Sequence, residues 1–133
     1  MISACYALTA PSTTKRRYMK PALTEKEHLA IMEFKKRLVE RLGENLVAIK
    51  LFGSRARGSY REGSDIDLLI ILKKENRETE DILIDTRLEI LNEFDVYPEI
   101  VSFALSRYQS FRNLQVPFLL NVEKDQYELY ARE

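Results

Sequence analysis

Gly53-Ser54, then, after ten intervening residues, Asp65, and then Asp67 are the residues of this chain whose types and spacing could do chemistry. Asp65 and Asp67 stand two apart at the entrance of an apolar run, and alternate residues of an extended chain point to one side. Two carboxylates held that way repel each other, and the edge of a core is a costly place for them. A divalent cation relieves the repulsion, and hard carboxylate oxygens suit Mg²⁺. Gly53 and Ser54 close a second apolar run at a turn, where backbone N–H groups are available to phosphate oxygens. A phosphate cradle beside metal-binding carboxylates describes a nucleoside triphosphate site.

The elements that must position these residues follow from the flanking pattern. Val47 to Ser54 reads as a buried strand ending in the Gly-Ser turn, and Asp65 to Leu72 as a second strand carrying the carboxylates. Between them, Arg55 to Tyr60 is expected to form a short helix or turn. Arg55, Arg57 and Arg61 are either a solvated basic loop or guanidinium forks facing a triphosphate. Gly58 suits a positive φ or a close backbone approach, and Gly63-Ser64 is a turn that Ser64 itself can cap. Upstream, Thr24 and Glu27 make a capping box. Ile31, Phe34, Leu38 and Leu42 follow at helical spacing, and Gly43 supplies the stop. His28, the single histidine, falls off that stripe and is read as solvated. A second helix is expected from about Glu78 to Phe94, with Ile84, Leu88, Leu91 and Phe94 buried and Glu78, Glu80, Asp81, Asp85, Glu89 and Glu93 exposed. A third strand runs Glu99 to Phe103 behind Pro98. A helical segment with Tyr108, Phe111, Leu114 and Phe118 then leads to a turn at Glu123 to Gln126 and a short last strand, Tyr127 to Tyr130.

Composition fits one soluble domain. The 133 residues are 45% apolar and 32% charged, and 21 basic residues balance 21 acidic ones, so no bulk attraction to nucleic acid is implied. One cysteine excludes an internal disulfide and fits a reducing cytoplasm. No run reaches the length of a membrane span, and no basic stretch precedes the weakly apolar start of the chain. Residues 1–22, with their Lys15-Arg16-Arg17 cluster, read as a flexible tail, with Met19 an alternative natural start; residues 23–133 read as the domain. Neither zinc-ligand spacing nor a Ser/His/Asp set occurs.

GSRARGSYREGSDIDLLII, with Gly-Ser, Gly58, Ser64 and the Asp-Ile-Asp-Leu strand in register, resembles the DNA polymerase β-like nucleotidyltransferases, and within them the minimal nucleotidyltransferase (MNT) family. The resemblance covers Val47 to Phe103 and, more loosely, Leu23 to the end. It implies an α/β fold with a mixed sheet of about four strands flanked by helices. It implies Asp65 and Asp67 as catalytic metal ligands, and a third carboxylate at the start of the following strand. Glu99 matches that place, with a longer side chain than the usual Asp, and Asp95 is the alternative. Gly53, Ser54, Arg57 and Ser64 would bind nucleotide, ATP would be the donor, and two Mg²⁺ ions, or Mn²⁺, would serve as cofactors. MNT proteins pair with HEPN-domain partners, so the resemblance implies a HEPN toxin adenylylated on a tyrosine hydroxyl and silenced. A core read without an added recognition domain is expected to meet its acceptor by docking. The competing readings are a non-catalytic module that neutralises a HEPN partner by binding, and a small-molecule nucleotidyltransferase of the antibiotic-modifying type.

Overall fold

The computed structural model describes residues 22–58 and 64–132. The tail expectation, Arg61 and Gly63 lie outside them. Helix α1 (Glu25–Leu42) begins at the Thr24 box, where the Thr24 hydroxyl accepts from the Glu27 amide and the Glu27 carboxylate accepts from the Thr24 amide. It stops at Gly43, whose φ of 56° is the positive value that favours glycine. A 3₁₀ turn (Gly43–Asn45) leads into strand β1 (Leu46–Phe52), followed by the four-residue helix α2 (Ser54–Arg57). Strand β2 (Asp67–Leu72), helix α3 (Arg77–Phe94) and strand β3 (Glu99–Ala104) come next. Helices α4 (Leu105–Asn113) and α5 (Pro117–Asp125) and strand β4 (Tyr127–Ala131) complete the described chain.

The sheet order is β3-β2-β1-β4. β1 runs antiparallel to β2 and β4, whereas β2 and β3 are parallel and joined by the α3 crossover. Alternation along the strands divides the core. Ile49, Leu51, Leu68, Ile70 and Leu72 pack beneath α1 and α3. Ala48, Leu69 and Ile71 pack against Tyr108, Leu119 and Val122 of α4 and α5. The expected four-stranded mixed sheet flanked by helices is therefore the fold, with the C-terminal helical segment split in two where Gln115 takes a φ of 57°. The turn expected at Glu123 to Gln126 is instead largely the last turn of α5.

The buried side of α3 differs from expectation. Ile84, Leu88 and Leu91 are 48%, 49% and 38% exposed, while Thr79, Leu83, Thr86 and Ile90 face the core. Two apolar rows share this helix, and threonines fill gaps in the buried one, so the pattern alone favours the wrong row. Polar contacts with α1 accompany this orientation. Arg37 of α1 reaches Glu89 at 2.9 Å and Glu93 at 2.7 Å, and Arg41 bonds Glu89 and the Thr86 hydroxyl. Part of the acidic face expected to be solvated is thus the seam between α1 and α3. The helix also starts from an Asn76–Thr79 capping box, which sequence reasoning missed.

Candidate active site

Three strand ends meet at one edge of the sheet. β1 ends at Phe52, whose cross-strand partner is Asp67, the first residue of β2. Asp67 in turn lies beside Glu99, the first residue of β3, in the parallel register, and the Glu99 amide donates to the Ile66 carbonyl at 2.8 Å. Phe52, Asp67 and Glu99 fall on the face that carries α4 and α5, because Leu69 and Val101, two residues along, pack into that cluster.

Gly53 turns the chain out of β1 with φ 81° and ψ −161°, a conformation L side chains rarely adopt. A second constraint acts at the same position. A Cβ built on Gly53 would stand 2.6 Å from Asp67 Oδ2. The Gly-Ser turn and the carboxylate strand are thus packed against each other through the missing side chain. Ser54 opens α2, and the Gly53 carbonyl accepts from the Ala56 and Arg57 amides. Gly58 ends the helix in the left-handed conformation.

The site's electrostatics follow from this convergence. Burial holds the half-buried Asp67 carboxyl above the ordinary carboxylate range, and the neighbouring charges of Asp65 and Glu99 push it the same way. Asp65 lies just ahead of β2, exposed, rather than within the strand. Among the described residues, no three His, Cys, Asp or Glu groups stand in a metal-holding arrangement. The donors are nonetheless of the right kind: hard oxygens converging on a carboxyl that carries an unrelieved charge penalty fit a hard divalent cation.

Glu99 is the carboxylate in the strand register, and Asp95 is not. Asp95 caps α3 with a φ of 59°, its side chain 90% exposed and 3.8 Å from Lys26. Glu99 is itself engaged. Arg87 of α3 stacks on the Tyr97 ring at 3.9 Å, donates to the Pro98 carbonyl at 2.6 Å and reaches Glu99 Oε2 at 3.4 Å. The arginines of the Gly-Ser turn part company. Arg57 is 46% exposed and 3.5 Å from Asp125 at the end of α5. Arg55 is buried, with the Ser64 hydroxyl and carbonyl both accepting from it. Phe118 of α5 packs edge-on to Phe52 at 5.6 Å, which makes α5 a wall of the site. Arg87, Asp125 and the pairing of Glu27 with Arg55 were missed in the sequence because the partners lie away from them along the chain.

Fold and site define a nucleotidyltransferase core. The family model for the nucleotidyltransferase domain matches residues 31–126, and the chain belongs to that family. Two Methanocaldococcus jannaschii proteins that carry the provisional name protein adenylyltransferase are similar in sequence. One is 37% identical over 67 residues, 48% of this chain and 46% of the relative. The other is 50% identical over 44 residues, 33% of this chain and 44% of the relative. The matches span less than half of either relative. Among solved structures, the spectinomycin adenyltransferase of Enterococcus faecialis, with ATP and spectinomycin, superposes with a TM-score of 0.64 at 17% identity, covering 80% of this chain and 56% of that one. A toxin–antitoxin structure with AMP-PNP gives 0.53 at 16% identity, covering 83% and 76%. The MntA–HpeT toxin–antitoxin structure gives 0.53 at 17% identity, covering 77% and 73%. These likenesses establish the fold. No helix among the described residues is long and apolar enough to cross a membrane.

Proposed function

We propose that the chain is a metal-dependent nucleotidyltransferase that moves an adenylyl group from ATP to a tyrosine hydroxyl of a HEPN-domain toxin, and so acts as its antitoxin. The observation that carries this is the contact of Asp67 with Gly53, which joins a phosphate-type turn to a carboxylate cluster at one sheet edge. Asp65 and Asp67 would hold Mg²⁺, or Mn²⁺ in its place, and Glu99 would share a second ion. The bound cation supplies charge neutralisation for the triphosphate and acidity for the attacking hydroxyl.

The remaining roles belong to the chain. Backbone amides at Gly53-Ser54 orient the triphosphate, and Ser64 holds the near end of the carboxylate segment. The exposed Arg57 guanidinium, 3.5 Å from Asp125, would meet the pyrophosphate. The hydroxyl oxygen bonds to the α-phosphorus as the bond to the bridging oxygen breaks, and pyrophosphate leaves with that electron pair. Glu99 accepts the hydroxyl proton. Positioning and charge stabilisation account for the rate. The toxin–antitoxin neighbours and the provisional names of the two relatives favour a protein acceptor over a small molecule.

The test is intact mass of a HEPN partner after incubation with the chain, ATP and Mg²⁺. The partner gains adenylyl units, the Asp65→Asn/Asp67→Asn variant gives none, Glu99→Gln slows the gain strongly and Asp95→Asn leaves it near wild type. Inhibition of the partner with no mass gain under any nucleotide would replace this reading with the non-catalytic binding module.

A further inference from the structure

Arg55 follows the Gly-Ser turn directly, yet its side chain is 2% exposed and its guanidinium has no donor to spare. Nε bonds Ser64 Oγ at 2.8 Å. Nη1 bonds Glu27 Oε1 at 2.6 Å and the Ala22 carbonyl at 3.0 Å. Nη2 bonds Glu27 Oε2 at 3.0 Å and the Ser64 carbonyl at 2.9 Å. A guanidinium has five N–H groups, and these bonds use all of them. The Arg55 carbonyl also accepts from the Ala22 amide at 2.7 Å. Burial works against the charged form of Glu27, but the bonds from Arg55 and Thr24 outweigh it and hold the carboxyl below its ordinary range. The pair is therefore an ionised bidentate fork.

These bonds leave Arg55 nothing to offer a phosphate. They do tie together two parts of the site that the chain separates. Arg55 adjoins Ser54 at the turn, and Ser64 adjoins Asp65 at the carboxylates. Glu27, fixed by the capping box of α1, anchors the fork from behind. We propose that Arg55 is a positioning residue that fixes the Gly53-Ser54 turn relative to Asp65 and Asp67, so that metal and triphosphate bind cooperatively through it. This rests on the nucleotide-and-metal reading of the site given above. A triphosphate held by the turn and a cation held by the carboxylates share phosphate oxygens only while the two parts keep their spacing. With the brace loosened, each ligand meets its own half of the site and the second gains little from the first.

The experiment is a titration of the full chain with ATP, in chelator and in saturating Mn²⁺, for wild type, Ser64→Ala and Arg55→Lys. The readout is the ratio of the two dissociation constants, which a residue that only stabilises the fold would not move below the melting temperature. Ser64→Ala removes one bond of the fork and leaves the Arg55–Glu27 pair. Arg55→Lys keeps the charge against Glu27 and loses the planar geometry. Arg55→Lys is expected to bind ATP in chelator within about twofold of wild type, whereas Ser64→Ala, at a residue also read as nucleotide-binding, is judged on the ratio alone. The Mn²⁺-dependent tightening is expected to drop about five- to tenfold, within the net range of one ordinary intramolecular hydrogen bond. Ser64→Ala carries the test if the lysine variant does not fold. Full Mn²⁺-dependent tightening in Ser64→Ala overturns the proposal. So does an equal loss of ATP affinity in chelator in Arg55→Lys, which would make the fork a direct phosphate contact. Absence of tightening in wild type overturns both this inference and the metal–nucleotide reading beneath it, whereas tightening without adenylyl transfer to a partner counts against the transfer reading alone.

Discussion

Replacing Gly53 with alanine separates two physical effects that meet at one atom. The backbone effect is strain: at φ 81° and ψ −161° an L residue costs about 1–3 kcal/mol. For a domain of this size that corresponds to a fall in Tm of roughly 4–12 °C. The second effect is contact. The new Cβ would stand 2.6 Å from Asp67 Oδ2, whereas Asp67 Cγ and Cβ, at 3.5 and 3.7 Å, are at ordinary distance. A carboxylate oxygen at the end of a rotatable side chain moves aside at little cost in stability, but once moved it no longer holds the position its function requires. Gly53→Ala is therefore expected to lose stability through the backbone and cation-dependent ATP binding through Asp67. Thermal melts of Gly53→Ala, Asp67→Ala and the double variant, each with chelator and with Mg²⁺-ATP, resolve the two. In chelator the stability changes, whatever the sign of the Asp67→Ala change, are expected to add within about 0.5 kcal/mol, since removing Asp67 does nothing for the backbone. The Mg²⁺-ATP shift is expected to vanish already in the single Gly53 variant. Wild-type melting together with an intact Mg²⁺-ATP shift in Gly53→Ala would refute the reasoning, and recovery of stability in the Asp67→Ala background would show that contact, not backbone strain, carries the cost.

The raised Asp67 carboxyl has a consequence for pH. Its charged form is penalised in the fold, so the penalty is full above the folded pKa and disappears as pH falls through that value toward the unfolded one. Asp67→Asn is expected to be more stable than wild type at neutral pH in chelator, with the advantage shrinking on acidification through that window; a pH-independent difference in urea melts would contradict it. The rotation of α3 predicts that Leu83→Ala costs about 2–4 kcal/mol and Leu88→Ala less than about 0.5 kcal/mol. Urea unfolding that gave the reverse order would return Leu88 to the core.

Much of the site was legible because its geometry is local. The Gly-Ser turn closes an apolar run, the carboxylates open the next, and both runs are short and β-rich enough to read as strands. The Thr24–Glu27 box and Gly43 bounded α1 for the same reason, since capping is written within a few residues. The strand opening at Glu99 was legible because Pro98 marks its entry, whereas the preference for Glu99 over Asp95 came from the resemblance. What stayed hidden depends on partners far along the chain. The buried row of α3 faces a core contributed by other elements, and the row beside it bonds Arg37 and Arg41 of another helix. Arg55 looks like a phosphate ligand by spacing, and Glu27 and Ser64 are what remove it from that role. Gln115, with its positive φ, divides a helical segment whose aromatic pattern continues across the break.

The order of the strands carries a consequence for how this architecture diversifies. β1, β2 and β3, whose ends hold Gly53, Asp67 and Glu99, are consecutive along the chain and adjacent in the sheet. β4 joins the opposite edge, where Ala48 pairs with Ala131 across the greatest sequence separation in the sheet. The part closed by the longest loop is thus the wall that α4, α5 and β4 form, not the donor set. Substitution, insertion or replacement in that C-terminal stretch can remodel what the site admits while the register of the carboxylates stays as it is. Acceptor choice and chemistry are, in that sense, separately heritable in this chain.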